Sequence, residues 1–289
     1  MPATLPLWLK KSSANGIAVR ETQHILRELK LNTICESAHC PNWGECYAKK
    51  TATFLILGNL CTRQCGFCDV PGGRPGTVDS SEPGRLAQAV QRLELDHVVV
   101  TSVNRDDLQD GGAYHFVEVI QAVRQARPEA LIELLTPDFQ GNFAALKTVV
   151  SAGPDIYNHN IETVPRLYGR VRPQADYGQS LELIGRIKEI DPSMLTKSGI
   201  MMGLGEAMDE VMDVFKDLRQ RKCDIVTVGQ YLRPSQRHLP VERYYPPEEF
   251  ERIAAMGMAI GLPHVFAGPF VRSSYNASEV YKALRTSKN

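Results

Sequence analysis

Six of the seven cysteines of this 289-residue chain lie between Cys35 and Cys68. They form two triplets fourteen residues apart: Cys35, Cys40 and Cys46 with C-x4-C-x5-C spacing, then Cys61, Cys65 and Cys68 with C-x3-C-x2-C spacing. Three thiolates so close in sequence can hold three corners of one iron-sulfur cubane, which usually takes its fourth ligand from elsewhere. No further cysteine stands near either triplet. An iron left open by the protein can bind a small molecule, so the spacing points to chemistry done by the cofactor. Other uses of the thiols fit less well. Zinc needs four closed Cys or His ligands, and although His39 could supply one, the paired C-x2-C knuckles of zinc sites are missing. A thioredoxin-like pair at Cys65 and Cys68 leaves four cysteines without a role. A disulfide framework is not expected in a chain this long, and residues 1–10 do not resemble a signal peptide.

The C-x3-C-x2-C run, with Phe67 before its last cysteine, resembles the signature of the radical S-adenosylmethionine (SAM) enzymes. That resemblance implies that the open iron takes the amino and carboxylate groups of SAM, and that reduction cleaves SAM to a 5'-deoxyadenosyl radical. The protein then supplies position and exclusion of water. The two triplets together, in this order, resemble the lipoyl synthase family. The family implies an auxiliary 4Fe-4S cluster on Cys35, Cys40 and Cys46 whose sulfides enter the product. His39 and Trp43 are expected to pack around it rather than ligate.

Composition sets outer bounds. With 43% hydrophobic residues, the chain can bury the core of one large α/β domain. Its formal net charge is +0, so the basic footprint of a nucleic-acid binder is absent. No apolar run reaches the roughly 18 residues of a membrane span. A reducing cytoplasm is the expected compartment, because thiols stay available there.

The elements that must position the cysteines follow a repeating order. Residues 1–20 read as an irregular arm that packs through Trp8 and Leu9, and 21–31 as a short amphipathic helix with Ile25, Leu26 and Leu29 on one face. Six strands are expected, at 53–60, 96–102, 131–135, 156–161, 195–202 and 225–228. Helices between them begin at Glu82-Pro83, at a Ser180 cap and at Glu206, and another carries Phe116, Val119, Ile120 and Val123. Alternating β/α units imply a parallel sheet with right-handed crossovers. Six strands favour the open, partial (βα)6 TIM-type barrel that the radical SAM resemblance implies. Three regions follow: 1–52 with the auxiliary loop, 53–232 as the barrel, and 233–289 as a covering extension. Its helix begins near Glu248, and its Pro/Arg/Tyr-rich loop either covers the barrel or meets an acidic partner.

Function collects at the carboxyl ends of barrel strands. Asp106-Asp107 with Gly111-Gly112 is either an ordinary capped turn or the family's backbone site for the SAM amino group. Asn158, Asn160 and Glu162 are spaced by two and share a strand face, where ribose or methionine would satisfy them. By resemblance, Lys197 lies near adenine. Arg172 pairs with the SAM carboxylate or is a surface charge. The lone Cys223 reads as core. Near the end, V-F-A-G-P-F-V reads as a strand, and R-S-S-Y-N-A offers helix caps but also resembles the lipoyl synthase R-S-S-Y-x-A motif. That resemblance gives Ser274, or alternatively Ser273, a hydroxyl bond to the auxiliary cluster, with Arg272 in support.

The implied reaction is insertion of two sulfurs at C6 and C8 of an octanoyl group on a carrier-domain lysine. Implied partners are the carrier domains of 2-oxoacid dehydrogenase E2 subunits and the glycine cleavage H protein, with flavodoxin or ferredoxin as reductant. The alternatives are another two-cluster radical SAM enzyme, inserting sulfur or modifying a peptide, and a zinc-stabilised interaction module.

Overall fold

The computed structural model describes residues 5–11, 16–274, 281 and 283. All six expected strands are present. They are β2 (Thr53–Ile56), β3 (His97–Ser102), β4 (Leu131–Leu135), β5 (Ile156–Asn158), β6 (Leu195–Met202) and β7 (Ile225–Gln230). Of the six, β2, β3, β4 and β7 are rich in the β-branched and aliphatic residues of a buried parallel sheet. Two more join them, β1 (Asn32–Thr33) and β8 (His264–Gly268). The eight-stranded sheet runs in sequence order from β1 to β8, with β1 antiparallel to β2 and every later neighbour parallel. The barrel is open. The strand read near the chain's end is therefore a further stave of the same sheet, although it comes from the segment expected as cover.

Two strands stop earlier than their apolar runs. After Ile56 the chain turns through Leu57 at φ 68° and Gly58 at φ 100° and leaves the sheet for Cys61. After Asn158 it leaves regular pairing, and Glu162 at φ 68° keeps contact with β6 through its N–H to the Gly199 carbonyl at 2.8 Å. Both departures occur at the carboxyl edge, and both turn polar residues toward the barrel mouth.

The outer helices are α4 (Glu82–Arg92), α5 (Ala113–Ala126), α6 (Phe143–Ser151), α8 (Tyr177–Ile190), α9 (Met208–Gln220) and α10 (Pro247–Ala259). No helix was expected from the sequence over α6, where Asn142 accepts hydrogen bonds from the N–H groups of Ala144 and Ala145. The cap of α8 is a correction. Asp176 accepts from the Gln179 N–H at 2.7 Å, whereas Ser180 lies fully buried inside the helix.

The N-terminal part supplies α1 (Ile17–Glu28), α2 (Ile34–Ser37) and α3 (Trp43–Ala48), and α7 (Tyr168–Val171) follows β5. Helix α1 starts four residues before the expected position, and Leu9 of the preceding arm is buried while Trp8 is partly exposed. Two apolar clusters form the core, one between β2–β5 and α4–α6 and one between β6–β8 and α8–α10. Cys223 lies in the second, as expected for a core residue. No helix among the described residues is long and apolar enough to cross a membrane.

Candidate radical and auxiliary cluster site

A cavity of about 490 Å³ opens at the carboxyl ends of the strands. Cys35, Cys40, Cys61, Cys65 and Cys68 all line it. Cys46 is not on the lining, but its charge acts on Cys35, as that of Cys40 does, so the first triplet is gathered in one place. All seven cysteines are free thiols. Burial pushes Cys35 and Cys68 up to about 12, and Cys46 and Cys65 up to about 11. These thiols must lose protons to bind metal, so loading is coupled to deprotonation. Among the described residues no three His, Cys, Asp or Glu side chains converge on one metal ion. Five of the six thiols line one space and the sixth lies close to Cys35, a donor set that fits two larger clusters.

The loop from Cys61 to Cys65 is clamped from inside. Arg63 donates to both carboxylate oxygens of Asp106, at 2.7 and 2.8 Å, and to both of Asp138, each at 2.7 Å. Its side chain is only 4% exposed. Such forked pairing fixes orientation as well as charge. The first triplet is held differently. Thr33 caps α2, which carries Cys35, by accepting from the Glu36 N–H at 3.3 Å. His39 sits at φ 46° before Cys40 and pairs with Asp69, next to Cys68. Asn42, before α3, donates to the Phe270 carbonyl at 2.8 Å. The loop before α3 thus meets the segment after β8 close in sequence to Cys40.

Of the polar residues singled out from sequence, the structure gathers Asn160, Glu162, Arg172, Ser273 and Ser274 on the cavity. Asn160 donates to Glu162 at 3.0 Å and to the Ser273 hydroxyl at 2.7 Å. Burial raises Glu162 above the usual carboxylate range against the opposing charge of Arg172. Arg172 is 9% exposed, not a surface charge, and donates to the Asn160 carbonyl at 2.9 Å. Ser274 lines the cavity and makes no hydrogen bond among the described residues. Tyr275, Asn276 and Ala277 of the motif lie outside the described residues.

Three others are not on the cavity. Asp107 is paired with Arg105 at 2.8 Å, which holds its carboxyl below the usual range. Lys197 is 1% exposed and donates to Glu133 at 2.9 Å. Although burial pushes Glu133 up, the charge of Lys197 keeps its carboxyl below the usual range. Asn158 is register partner to Lys197, one strand step below the cavity-lining pair Asn160 and Gly199. The barrel's polar floor, not its mouth, takes these two. Sequence reasoning missed Arg63, Asn104 and Asp138. For Arg63 a signal existed, since a charged residue between two cluster cysteines needs a partner when buried.

The family model described as the Radical SAM superfamily matches residues 55–218. A lipoyl synthase of Rubrobacter xylanophilus is 55% identical over 95% of this chain and 85% of its own length. One of Caldanaerobacter subterraneus is 53% identical over 96% of this chain and 97% of its own. Among solved structures, Streptococcus suis SuiB bound to S-adenosylmethionine aligns with a TM-score of 0.57 at 9% identity, over 76% of this chain and 50% of that one, a likeness of fold alone. The identity to these relatives over nearly the whole length, together with the superfamily match, places this chain in the lipoyl synthase family of radical SAM enzymes.

Proposed function

We propose that the protein inserts two sulfur atoms, at C6 and C8, into an octanoyl group amide-linked to a lysine of a carrier domain. The family's cofactors are SAM and 4Fe-4S clusters. What supports the reading most is that cysteines of both triplets, so different in setting, line one cavity. When bound, these cofactors supply a 5'-deoxyadenosyl radical able to take hydrogen from an unactivated C–H bond, and sulfide to join the carbon.

The residues divide the work. Cys61, Cys65 and Cys68 hold the radical-generating cluster, and Cys35, Cys40 and Cys46 hold the auxiliary one. Ser274 is the fourth auxiliary ligand in this reading, because Asn160 already engages the neighbouring Ser273 hydroxyl. Asn160 and Glu162 receive polar groups of SAM, and Arg172 its carboxylate. Ile34, Leu55 and Val70 give the same cavity an apolar side for the acyl chain. The carriers are E2 lipoyl domains or the glycine cleavage H protein, and flavodoxin or ferredoxin supplies electrons in the cytoplasm. The region 1–52 carries the auxiliary loop, 53–232 the radical chemistry, and 233–289 the cover and the serine.

The test is mass spectrometry of an octanoylated carrier peptide after anaerobic incubation with enzyme, reductant and SAM. Gain of two sulfurs per peptide is expected. A peptide without added sulfur, in the presence of a fully loaded enzyme, overturns the reading.

A further inference from the structure

The three thiols of the second triplet differ in the hydrogen bonds they receive. Cys61 Sγ accepts from the Arg63 N–H and the Asn104 N–H, both at 3.4 Å, and from the Asn104 side-chain amide at 3.8 Å. Cys68 receives one backbone bond, from Val70, and no donor reaches Cys65 among the described residues. One residue outside the cysteine loop therefore addresses a single sulfur with both its backbone and its side chain.

Asn104 is not there by accident of a mobile loop. Its carbonyl accepts from the Thr62 N–H at 3.1 Å and the Thr62 hydroxyl at 3.0 Å, so the residues beside Cys61 hold it in return. The Asp106 N–H donates to the Thr62 hydroxyl at 3.1 Å, and the Asp106 carboxylate grips Arg63. The loop after β3 and the cysteine loop are thus laced together, with the Asn104 amide on the cavity wall.

Resting on the reading that Cys61 ligates the radical-generating cluster, we propose that Asn104 is a positioning residue whose amide, acting through the Cys61 sulfur, raises that cluster's reduction potential. A donor on a ligand sulfur stabilises the more electron-rich state, so it favours the reduced cluster over the oxidised one. The N–H groups on Cys61 thus help a low-potential one-electron donor fill the cluster.

The test is an electron paramagnetic resonance redox titration of the reconstituted protein, following the cluster signal that changes when SAM is added. Asn104→Ala deletes the side-chain donor and keeps the backbone N–H. Asn104→Asp keeps the shape and replaces the donor by a negative oxygen. At a fixed poised potential the ratio of reduced to oxidised cluster is expected to fall about threefold to tenfold in Asn104→Ala, the worth of one hydrogen bond, and further in Asn104→Asp. Iron content should match the wild type. Potentials equal to the wild type in both variants overturn the proposal, and so does failure of both to hold a cluster, which would make Asn104 an assembly residue. Absence of any SAM-responsive signal in the wild type would instead refute the cluster assignment beneath it.

Discussion

The two cysteine loops are built on opposite principles. Around Cys61 most supports come from the barrel: a guanidinium forked onto two carboxylates, N–H groups on sulfur, and a strand leading in, with His238 of the covering segment donating to the Cys68 carbonyl at 3.0 Å. Around Cys35 the supports are short helices and chain ends, with a residue in the left-handed region before Cys40 and a single amide reaching the far end of the chain. A site on rigid elements keeps its geometry through repeated use, whereas one closed by terminal segments can open at small cost. The difference matches the proposed labour, in which one cluster is retained and the other gives up sulfur.

Removing Arg63 should break the comparison most sharply. Arg63→Ala leaves Asp138 buried with its charge unpaired, a loss of about 3–5 kcal/mol for a broken buried ion pair. Thermal unfolding of the metal-free chain should fall accordingly, and the reconstituted variant should lose iron from the second triplet only. Equal iron at both triplets would mean that the clamp does not serve the cluster loop.

The barrel was legible in the sequence because periodicity and β-branched runs report burial directly, and the ends of β4 and β6 were found to the residue. At the site, spacing grouped the cysteines, five of which line the cavity, and period two put Asn160 and Glu162 there together, while the ligand roles rest on the resemblance alone. It failed where that face could be read at two depths. Asn158 and Lys197 share the inward face with Asn160 but sit one step lower, and only the layer of Glu133 beside them, on a strand distant in sequence, decides between floor and mouth. The Arg63 clamp was hidden for the same reason, since Asp138 is 75 residues away. Ser180 was misread because a serine on a helix's first turn serves equally as cap or as small buried residue, and Asp176 won the cap.

A pH series sharpens the barrel side. His159 lies on the cavity beside Arg63 and Arg172, and burial together with the Arg172 charge lowers it to about 4. The unfolded imidazole takes a proton near 6.5. Stability is therefore full above about pH 6.5 and falls as pH drops toward 4, by about 3 kcal/mol for this group. Denaturant unfolding across that range, wild type against His159→Asn, should show the slope shrink in the variant. An unchanged slope assigns the acid sensitivity to other groups.

Gly229 tests the other side through packing. A Cβ there would lie 2.2 Å from the Val271 carbonyl, so Gly229→Ala must push the segment carrying Ser273 and Ser274 away from β7. Overpacking of this kind costs about 1–3 kcal/mol. The auxiliary cluster should assemble poorly while SAM cleavage by the reduced protein persists. Loss of both activities together would show that the two loops are not independent.

The mildest change separates the loops by lability. Asn42→Ala removes the amide that joins the first triplet's loop to the Phe270 carbonyl. It also removes the oxygen that accepts from Lys11 Nζ at 2.7 Å, and two hydrogen bonds at about 1 kcal/mol each are too little to unfold the barrel. Lys11 still lies over the Phe270 ring at 4.6 Å and pairs with Glu45 at 2.9 Å, so residue 11, α3 and residue 270 keep a second link. What should change is the rate at which chelator strips iron from the auxiliary site, rising severalfold while the other cluster's rate holds. If the opening of the terminal strap governs sulfur release, single-turnover sulfur insertion should quicken or become less complete in step with that lability. If both clusters are stripped at wild-type rates, the strap is not the closure, and the Cys35 loop owes its hold to α2 and α3 alone.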